Sequence, residues 1–130
     1  MKHEFSRSWV SSSSPKKQRK YRMNAPLHIK RRMLSAHLSK ELRKQYKTRN
    51  LPLRKGDTVL IMRGKFKGSE GKVEKIYTKQ MMVSVDSAKN TTKKGNKVPL
   101  KLRPSLLLIK DINLSDNKRL EKINSYGKTR

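Results

Sequence analysis

A glycine-rich hairpin pattern between residues 54 and 77 limits what this chain can fold into. The turn sequence Lys-Gly-Asp at 55–57 precedes a short apolar and β-branched run at 58–62, and a second run returns at 73–77. Glycine destabilises a strand unless a positive φ, a bulge or a close backbone approach requires it. We therefore expect a tightly curved hairpin whose structural glycines are Gly56, Gly64, Gly68 and Gly71.

The predicted tip of this hairpin combines cations with one aromatic ring. Its candidate RNA contacts are Arg63, Lys65, Phe66 and Lys67, together with Lys72 on the returning strand. Lysine and arginine suit phosphates, and an aromatic ring suits an unpaired base. For Phe66 the sequence leaves two positions open: stacked on a base, or folded back onto the sheet.

The excess of basic over acidic residues indicates which class of molecule this chain binds. Lysine and arginine number 35 against 9 acids, which gives a formal net charge of +26. Such a chain repels itself, and a polyanion relieves that repulsion, so nucleic-acid binding is favoured. A membrane partner is not expected, because no wide apolar helix face and no apolar run of about 20 residues is present. A cytoplasmic location is expected.

The small apolar fraction and the absence of cysteine set further limits. Apolar residues make up 32% of the chain, so we expect a small core. With no cysteines, disulfides and thiol catalysis are excluded. The nine acids are scattered among basic neighbours, and the glycine-rich turn lacks the Gly-Lys-Ser/Thr ending of a nucleotide-binding loop. The chain is therefore not expected to be an enzyme or to hold a metal or cofactor.

Residues 1–23 are predicted to form a basic, extended arm. No apolar periodicity would fold this segment alone, and arginine-rich segments become ordered on RNA. Its candidate RNA contacts are Lys16, Lys17, Arg19, Lys20 and Arg22. The alternative is a disordered tail or a basic localisation signal.

Residues 24–53 are predicted to form short helices and a linker. One helix begins at Pro26, and a second is capped by Ser39 and carries an apolar stripe of Leu38, Leu42 and Tyr46. The candidate RNA contacts here are His28, Lys30, Arg31, Arg32, Lys40 and Arg43.

Residues 54–112 are predicted to form a small, partly open β-barrel of about five strands. Later strands are expected at 81–85, 98–102 and 107–109, and the polar loop at 87–97 offers Lys93 and Lys94 to RNA. The predicted core is Val59, Ile61, Val73, Ile76, Val83, Val85, Leu100 and Leu108. Residues 113–130 are predicted to form a C-terminal helix, capped by Ser115, and a tail.

Two blocks of the sequence resemble a known family. Lys55-Gly56-Asp57-x-Val59 and Arg63-Gly64-x-x-x-Gly68-x-x-Gly71-Lys72-Val73 are similar to the KOW motif, a small RNA-associated β-barrel element. The block from Asn24-Ala25-Pro26 to Leu42-Arg43 resembles the large-subunit ribosomal KOW family, numbered twenty-four in bacteria and twenty-six in eukaryotes, in its archaeal and eukaryotic branch.

This resemblance implies an SH3-like KOW barrel and a structural role in the ribosome. It implies binding of large-subunit rRNA, contacts with neighbouring large-subunit proteins and exit-tunnel targeting factors, early action in assembly, and a position near the peptide exit tunnel. Arg103 stands where the family usually has a histidine, and the long lysine-rich tail of eukaryotic members is missing. We therefore expect an archaeal or reduced eukaryotic source.

Two other functions fit a KOW element: a transcription-elongation module and a free RNA chaperone. Elongation factors normally place a mixed α/β domain before the KOW element. Here a basic, helix-poor segment of residues 1–53 precedes it. A structural ribosomal protein is the preferred hypothesis.

Overall fold

The structure is a computed structural model, which describes residues 5–6, 8–9 and 11–128. Within these residues the helices are α1 (Pro15–Asn24), α2 (Leu27–Met33), α3 (Lys40–Tyr46) and α4 (Asn117–Lys128), and Pro104–Leu106 form a 3-10 turn. The strands are β1 (Ser35–Leu38), β2 (Asn50–Pro52), β3 (Thr58–Ile61), β4 (Glu70–Tyr77), β5 (Met82–Thr91), β6 (Lys97–Leu102) and β7 (Leu107–Asp111). No helix in the described part is long and apolar enough to cross a membrane.

The strands form one mixed sheet in the order β2-β1-β7-β3-β4-β5-β6. The β1–β7 pair is parallel, and the other pairs are antiparallel. Strands β2 and β6 are the edges of this sheet, so over the described residues it is not closed. The predicted small, mostly β fold is confirmed at this level, with β3 to β7 as the five predicted strands.

The segment before the hairpin contributes two strands that the sequence analysis missed. Strand β1 pairs with both β2 and β7, through Ala36 with Leu51 and Leu38 with Ile109. Leu38 is therefore a buried strand residue, and its assignment to the stripe of the following helix was wrong. Strands of three or four residues give almost no periodic signal, and their stability comes from distant pairing partners.

The last part of the predicted arm, from Pro15 onward, is helical where the sequence predicted an extended chain. Residues Pro15–Asn24 form α1, with proline in the first turn and lysine, arginine and glutamine as good helix formers. None of its residues is buried, which explains why no apolar stripe marked it. Residues 1–4, 7 and 10 of the predicted arm, and residues 129–130 of the tail, lie outside the described part.

The other helix predictions hold with one change. The Leu42 amide donates to the Ser39 hydroxyl at 3.3 Å, as expected for the cap of α3. At α4 the predicted cap Ser115 was wrong by one residue. Asp116 carries the cap, because its carboxylate accepts a hydrogen bond from the Lys118 amide at 2.9 Å.

The core uses most of the predicted side chains. Of those eight, Val59, Ile61, Val73, Val83 and Val85 are buried. Ile76, Leu100 and Leu108 are only half-buried, and the core positions expected of the last two belong to Leu102, Leu107 and Ile109. Leu108 lies between two buried residues of its strand, so an assignment shifted by one position selects the wrong face. Leu102 is two positions from Leu100 on the same face of β6 and is the more deeply buried of the two. Ile123 of α4, which was not among the predicted core residues, completes the core.

Candidate nucleic-acid interface

The turn of the β3–β4 hairpin is closed by backbone hydrogen bonds, and its cationic side chains are exposed to solvent. Strands β3 and β4 pair through Val59 with Gly71. In the connecting turn, the Gly68 amide donates to the Ile61 carbonyl at 2.8 Å, and the Lys67 amide donates to the Gly64 carbonyl at 3.1 Å. The side chains of the candidate contacts Arg63, Lys65, Lys67 and Lys72 are all exposed.

The hairpin glycines are required for two different reasons. Gly68 has φ +84°, a conformation that side chains with a Cβ rarely adopt, although its surroundings are open. Gly71 has an ordinary φ, but an added Cβ would lie 2.7 Å from the Ser87 Oγ and 3.0 Å from the Ser87 backbone nitrogen. Gly56 and Gly64 resemble Gly68 in their positive φ.

Phe66 takes the second of its two predicted positions. Its ring is half-buried and packs against the hydrophobic core. The Lys65 ammonium lies 5.8 Å from the centroid of this ring. In this arrangement an RNA base would reach the ring only at its exposed part, or after the ring had moved outward.

The β5–β6 hairpin offers a second exposed group of cations. Its turn is closed by the Thr92 amide, which donates to the Asn96 carbonyl, and by the Gly95 amide, which donates to the Thr92 carbonyl, both at 2.9 Å. Lys93 and Lys94 are exposed at this turn. Because the backbone fixes the turn, these two ammonium groups are available to a partner.

The helical segments present a third and a fourth group. On α1 the exposed candidates are Lys16, Lys17, Arg19, Lys20 and Arg22. On α2 and α3 the exposed candidates are His28, Arg31, Arg32 and Lys40. Two other candidates also have structural contacts: the Lys30 ammonium donates to the Met23 carbonyl, and the Arg43 guanidinium donates to the Leu38 carbonyl, both at 2.8 Å.

Helix α4 adds cations that the sequence analysis did not select. Lys118 and Lys122 line a groove of about 650 Å³ together with His28, Arg31 and Arg32 of α2. Only the fold brings these two helices together. The signal available in the sequence was the polar side of the predicted last helix, opposite its apolar face.

The ion pairs use cations other than the candidate contacts. Lys110 pairs with Glu70, Arg54 pairs with Asp116, and Arg119 pairs with Asp57. The Lys89 ammonium pairs with both Glu74 and Asp86. Among the described residues, no lysine or arginine chosen as an RNA contact forms an ion pair. The candidate contacts therefore keep their positive charge unneutralised within the described residues, as do other exposed lysines and arginines such as Lys44, Lys75 and Lys101.

The ion pair between Lys89 and Asp86 shifts the pKa of both groups. The hydrogen bond from the Lys89 ammonium to Asp86 lowers the pKa of that carboxyl group. The same hydrogen bond raises the pKa of Lys89. Lys89 thus lies between the carboxylates of Glu74 and Asp86, so this part of the surface adds little to the attraction for a polyanion.

Comparison with known proteins identifies the family. Residues 12–125 match the family described as ribosomal proteins, L26 in its eukaryotic members and L24 in its archaeal members. The chain belongs to this family. It is 45% identical over 114 residues to the large ribosomal subunit protein uL24 of Methanothrix thermoacetophila, a match that covers 88% of this chain and 97% of that protein.

A second relative gives the same result. The large ribosomal subunit protein uL24 of Methanosarcina barkeri is 42% identical over 112 residues, covering 86% of this chain and 97% of that protein. The resemblance described above is thereby confirmed. Membership of this ribosomal family also confirms the expectation of a structural ribosomal protein rather than an enzyme.

The family match contains every candidate RNA contact. These residues run from Lys16 to Lys94, within the matched residues 12–125. Trp9, in contrast, precedes the matched part of the chain. The cations thus belong to the region that this ribosomal family shares, whereas the tryptophan lies outside it.

Proposed function

We propose that this chain is a constituent of the large ribosomal subunit that binds large-subunit rRNA through the unpaired cations of α1, α2–α3 and the two hairpins. The observation that carries this proposal is the excess, among the described residues, of exposed cations that no carboxylate neutralises. The ion pairs of the described residues use Arg54, Lys89, Lys110 and Arg119, and the candidate contacts have no carboxylate partner. These cations therefore remain available to phosphates.

Binding would follow from counterion release and from RNA shape. Each phosphate neutralised by a lysine or arginine frees condensed cations from the RNA, which is entropically favourable and weakens with added salt. The groups on separate helices and hairpins would contact separate RNA elements and hold them together. Side chains read folded RNA mostly through phosphates, sugars and unpaired nucleotides rather than through the narrow major groove.

We also propose that strands β3 to β7 are the SH3-like KOW barrel implied by the sequence. Three register shifts support this proposal, at Thr58/Val59, Val73/Lys75 and Ser84/Lys89. Such irregularities bend strands and increase their twist, which is how a short sheet curls toward a barrel. On this proposal, β1 and β2 extend the barrel sheet beyond β7.

Early action in assembly, a place near the peptide exit tunnel and contacts with neighbouring subunit proteins or exit-tunnel targeting factors belong to the same proposal. Their support is membership of this ribosomal family. Crosslinking in cells followed by sequencing of the attached RNA tests the location. Crosslinks should concentrate in large-subunit rRNA near the tunnel mouth, and crosslinks spread evenly over cellular RNA would contradict the proposal.

Gradient sedimentation of a cell extract tests the function against its two alternatives. The chain should sediment with large subunits and remain there at moderate salt, because multiple phosphate contacts act together. Sedimentation with RNA polymerase would instead support an elongation module. A mostly unbound protein would support an RNA chaperone.

A further inference from the structure

A groove of about 720 Å³ lies between the N-terminal segment and the sheet. Trp9 and Tyr21 line it on the N-terminal side, and Met81 and Arg103 line it on the side of the sheet. Its volume falls within the range of about 300–1,000 Å³ that is typical of small-ligand sites. Its lining residues include none from the β3–β4 and β5–β6 turns that carry the candidate RNA contacts.

Stacked aromatic rings form one wall of this groove. The centroids of Trp9 and Tyr21 lie 4.1 Å apart, with an angle of 21° between the ring planes. Phe5 adds a third ring, whose centroid lies 5.0 Å from that of Tyr21. Such stacking holds the indole in place before any ligand arrives, so little conformational entropy is lost on binding.

The opposite side of the groove contains a non-glycine residue with an unfavourable, left-handed backbone conformation. Met81 has φ +53°, although it is not glycine. Its side chain packs partly against the core, and its amide donates to the Thr78 carbonyl at 3.3 Å. Residues held at positive φ against their preference are concentrated at ligand sites. This one places a polarisable thioether side chain at the groove.

The charged side chains that line the groove indicate which kind of ligand it binds. Arg22 and Arg103 line it and are exposed. Among the described lining residues there is no carboxylate. Gln80, also a lining residue, accepts a hydrogen bond from the Lys101 ammonium at 2.9 Å, which brings a third cation close. Aromatic and apolar walls with arginines at the rim match an unpaired base and its phosphates.

We propose that this groove binds one unpaired nucleobase of single-stranded RNA, with Arg22 and Arg103 holding the adjacent phosphates. The base extends the Trp9–Tyr21 stack and lies over Met81. This inference rests on the proposed RNA-binding function and adds a specific site to it. Trp9 precedes the residues that match the family, whereas Tyr21, Arg22, Met81 and Arg103 lie within them.

The chain carries its own probe for this site. Trp9 is its only tryptophan, so the tryptophan fluorescence reports on the groove alone. The full-length protein is titrated with a single-stranded oligoribonucleotide of about ten nucleotides and with an abasic chain of the same length and charge. The base-containing oligonucleotide should quench the fluorescence, and the abasic chain should bind without quenching. Equal fluorescence changes with both ligands would overturn the proposal.

Affinity gives a second measurement that does not depend on fluorescence of the protein. Trp9→Ala should weaken binding of a dye-labelled, base-containing oligonucleotide by at least about fivefold, the lower limit for loss of one stacked base. Binding of the labelled abasic chain should not change. Trp9→Phe, which keeps a ring, should restore most of the lost affinity. Equal weakening for both ligands would indicate a nonspecific loss and contradict base binding.

Two charge-matched variants separate this site from general attraction. Arg103→Gln and Lys94→Gln each remove one positive charge, but only the first alters the groove. At saturating oligonucleotide, Arg103→Gln should reduce the quenching of Trp9, and Lys94→Gln should leave it at the wild-type value. The same quenching in both variants contradicts the role of Arg103. Binding without base-dependent quenching overturns only the groove site, whereas no binding of either ligand overturns RNA binding itself.

Discussion

The guanidinium of Arg119 clamps the carboxylate of Asp57 through two parallel hydrogen bonds. They measure 2.6 Å from Nη1 to Oδ1 and 2.7 Å from Nη2 to Oδ2. Asp57 is 0% exposed and Arg119 is 5% exposed. The pair joins α4 to the residue that immediately precedes β3, across 62 positions of sequence.

The surrounding backbone completes this buried network. The amides of Arg54 and Asn113 donate to the same carboxylate at 2.8 Å and 3.0 Å. Arg119 donates further to the carbonyls of Asn113 at 2.9 Å and Pro52 at 3.2 Å. A buried ion pair is tolerated when its remaining hydrogen-bonding capacity is satisfied in this way. Helix α4 is therefore an integral part of the domain rather than a loosely attached tail.

Arg119→Met should lower the free energy of unfolding by about 3–5 kcal/mol, because it leaves the Asp57 carboxylate buried without a countercharge. Urea unfolding followed by circular dichroism measures this loss. Lys122→Met, on the exposed side of the same helix, is the control and should stay within about 0.5 kcal/mol of wild type. The double variant Asp57→Asn/Arg119→Met should lose less than the sum of the single changes. Strict additivity would contradict the coupling.

The Asp57–Arg119 pair shows which features of the fold could be predicted from the sequence and which could not. Lys55-Gly56-Asp57 was recognised as a turn, since a turn is encoded by adjacent residues. The partner of Asp57 was not recognised, because Arg119 is brought to it only by the assembled fold. Strands β1 and β2 were missed for the same reason. Helices α2 and α3 were predicted because their proline and serine starts are local signals.

The candidate interface was likewise predicted only in part from the sequence. Cations in clusters, such as those of α1 and the hairpin tip, were evident in the sequence. The sequence did not show which cations form ion pairs with carboxylates, because partners can be far apart in the chain. Lys110 and Glu70, for example, pair across 40 positions. Helix α1 was predicted as extended because it buries no residue and so lacks a periodic apolar pattern.

Gly68→Val should destabilise the domain by about 1–3 kcal/mol and weaken RNA binding at the hairpin, because a β-branched residue is strained at φ +84°. The position is open, so strain rather than steric overlap causes the loss. Gly68→Asn separates the two causes, since asparagine tolerates positive φ and should retain most of the stability. Urea unfolding measures both variants. Equal stabilities for valine and asparagine would show that the backbone conformation is not decisive.

Lysines on α1 should differ from ion-paired lysines in their effect on salt dependence. Lys16→Ala/Lys17→Ala should reduce the slope of log affinity against log salt concentration by about 0.7–0.9 for each phosphate that is no longer neutralised. Lys89→Ala/Lys110→Ala removes the same charge from lysines that already pair with carboxylates, and should leave the slope near the wild-type value. Binding of large-subunit rRNA is measured over a series of salt concentrations. Equal changes in slope would mean that net charge alone controls binding.

Two substitutions at Phe66 distinguish packing from RNA stacking. Phe66→Ala should lower the free energy of unfolding by about 1–2 kcal/mol, because the half-buried ring contributes to the core. Phe66→Leu keeps an apolar side chain against that core and should retain most of the stability. If the ring only packs inward, as it does in this structure, the leucine variant should bind rRNA as tightly as wild type. A loss of at least about fivefold in affinity, with stability retained, would show that the ring turns outward to stack on a base when RNA is bound.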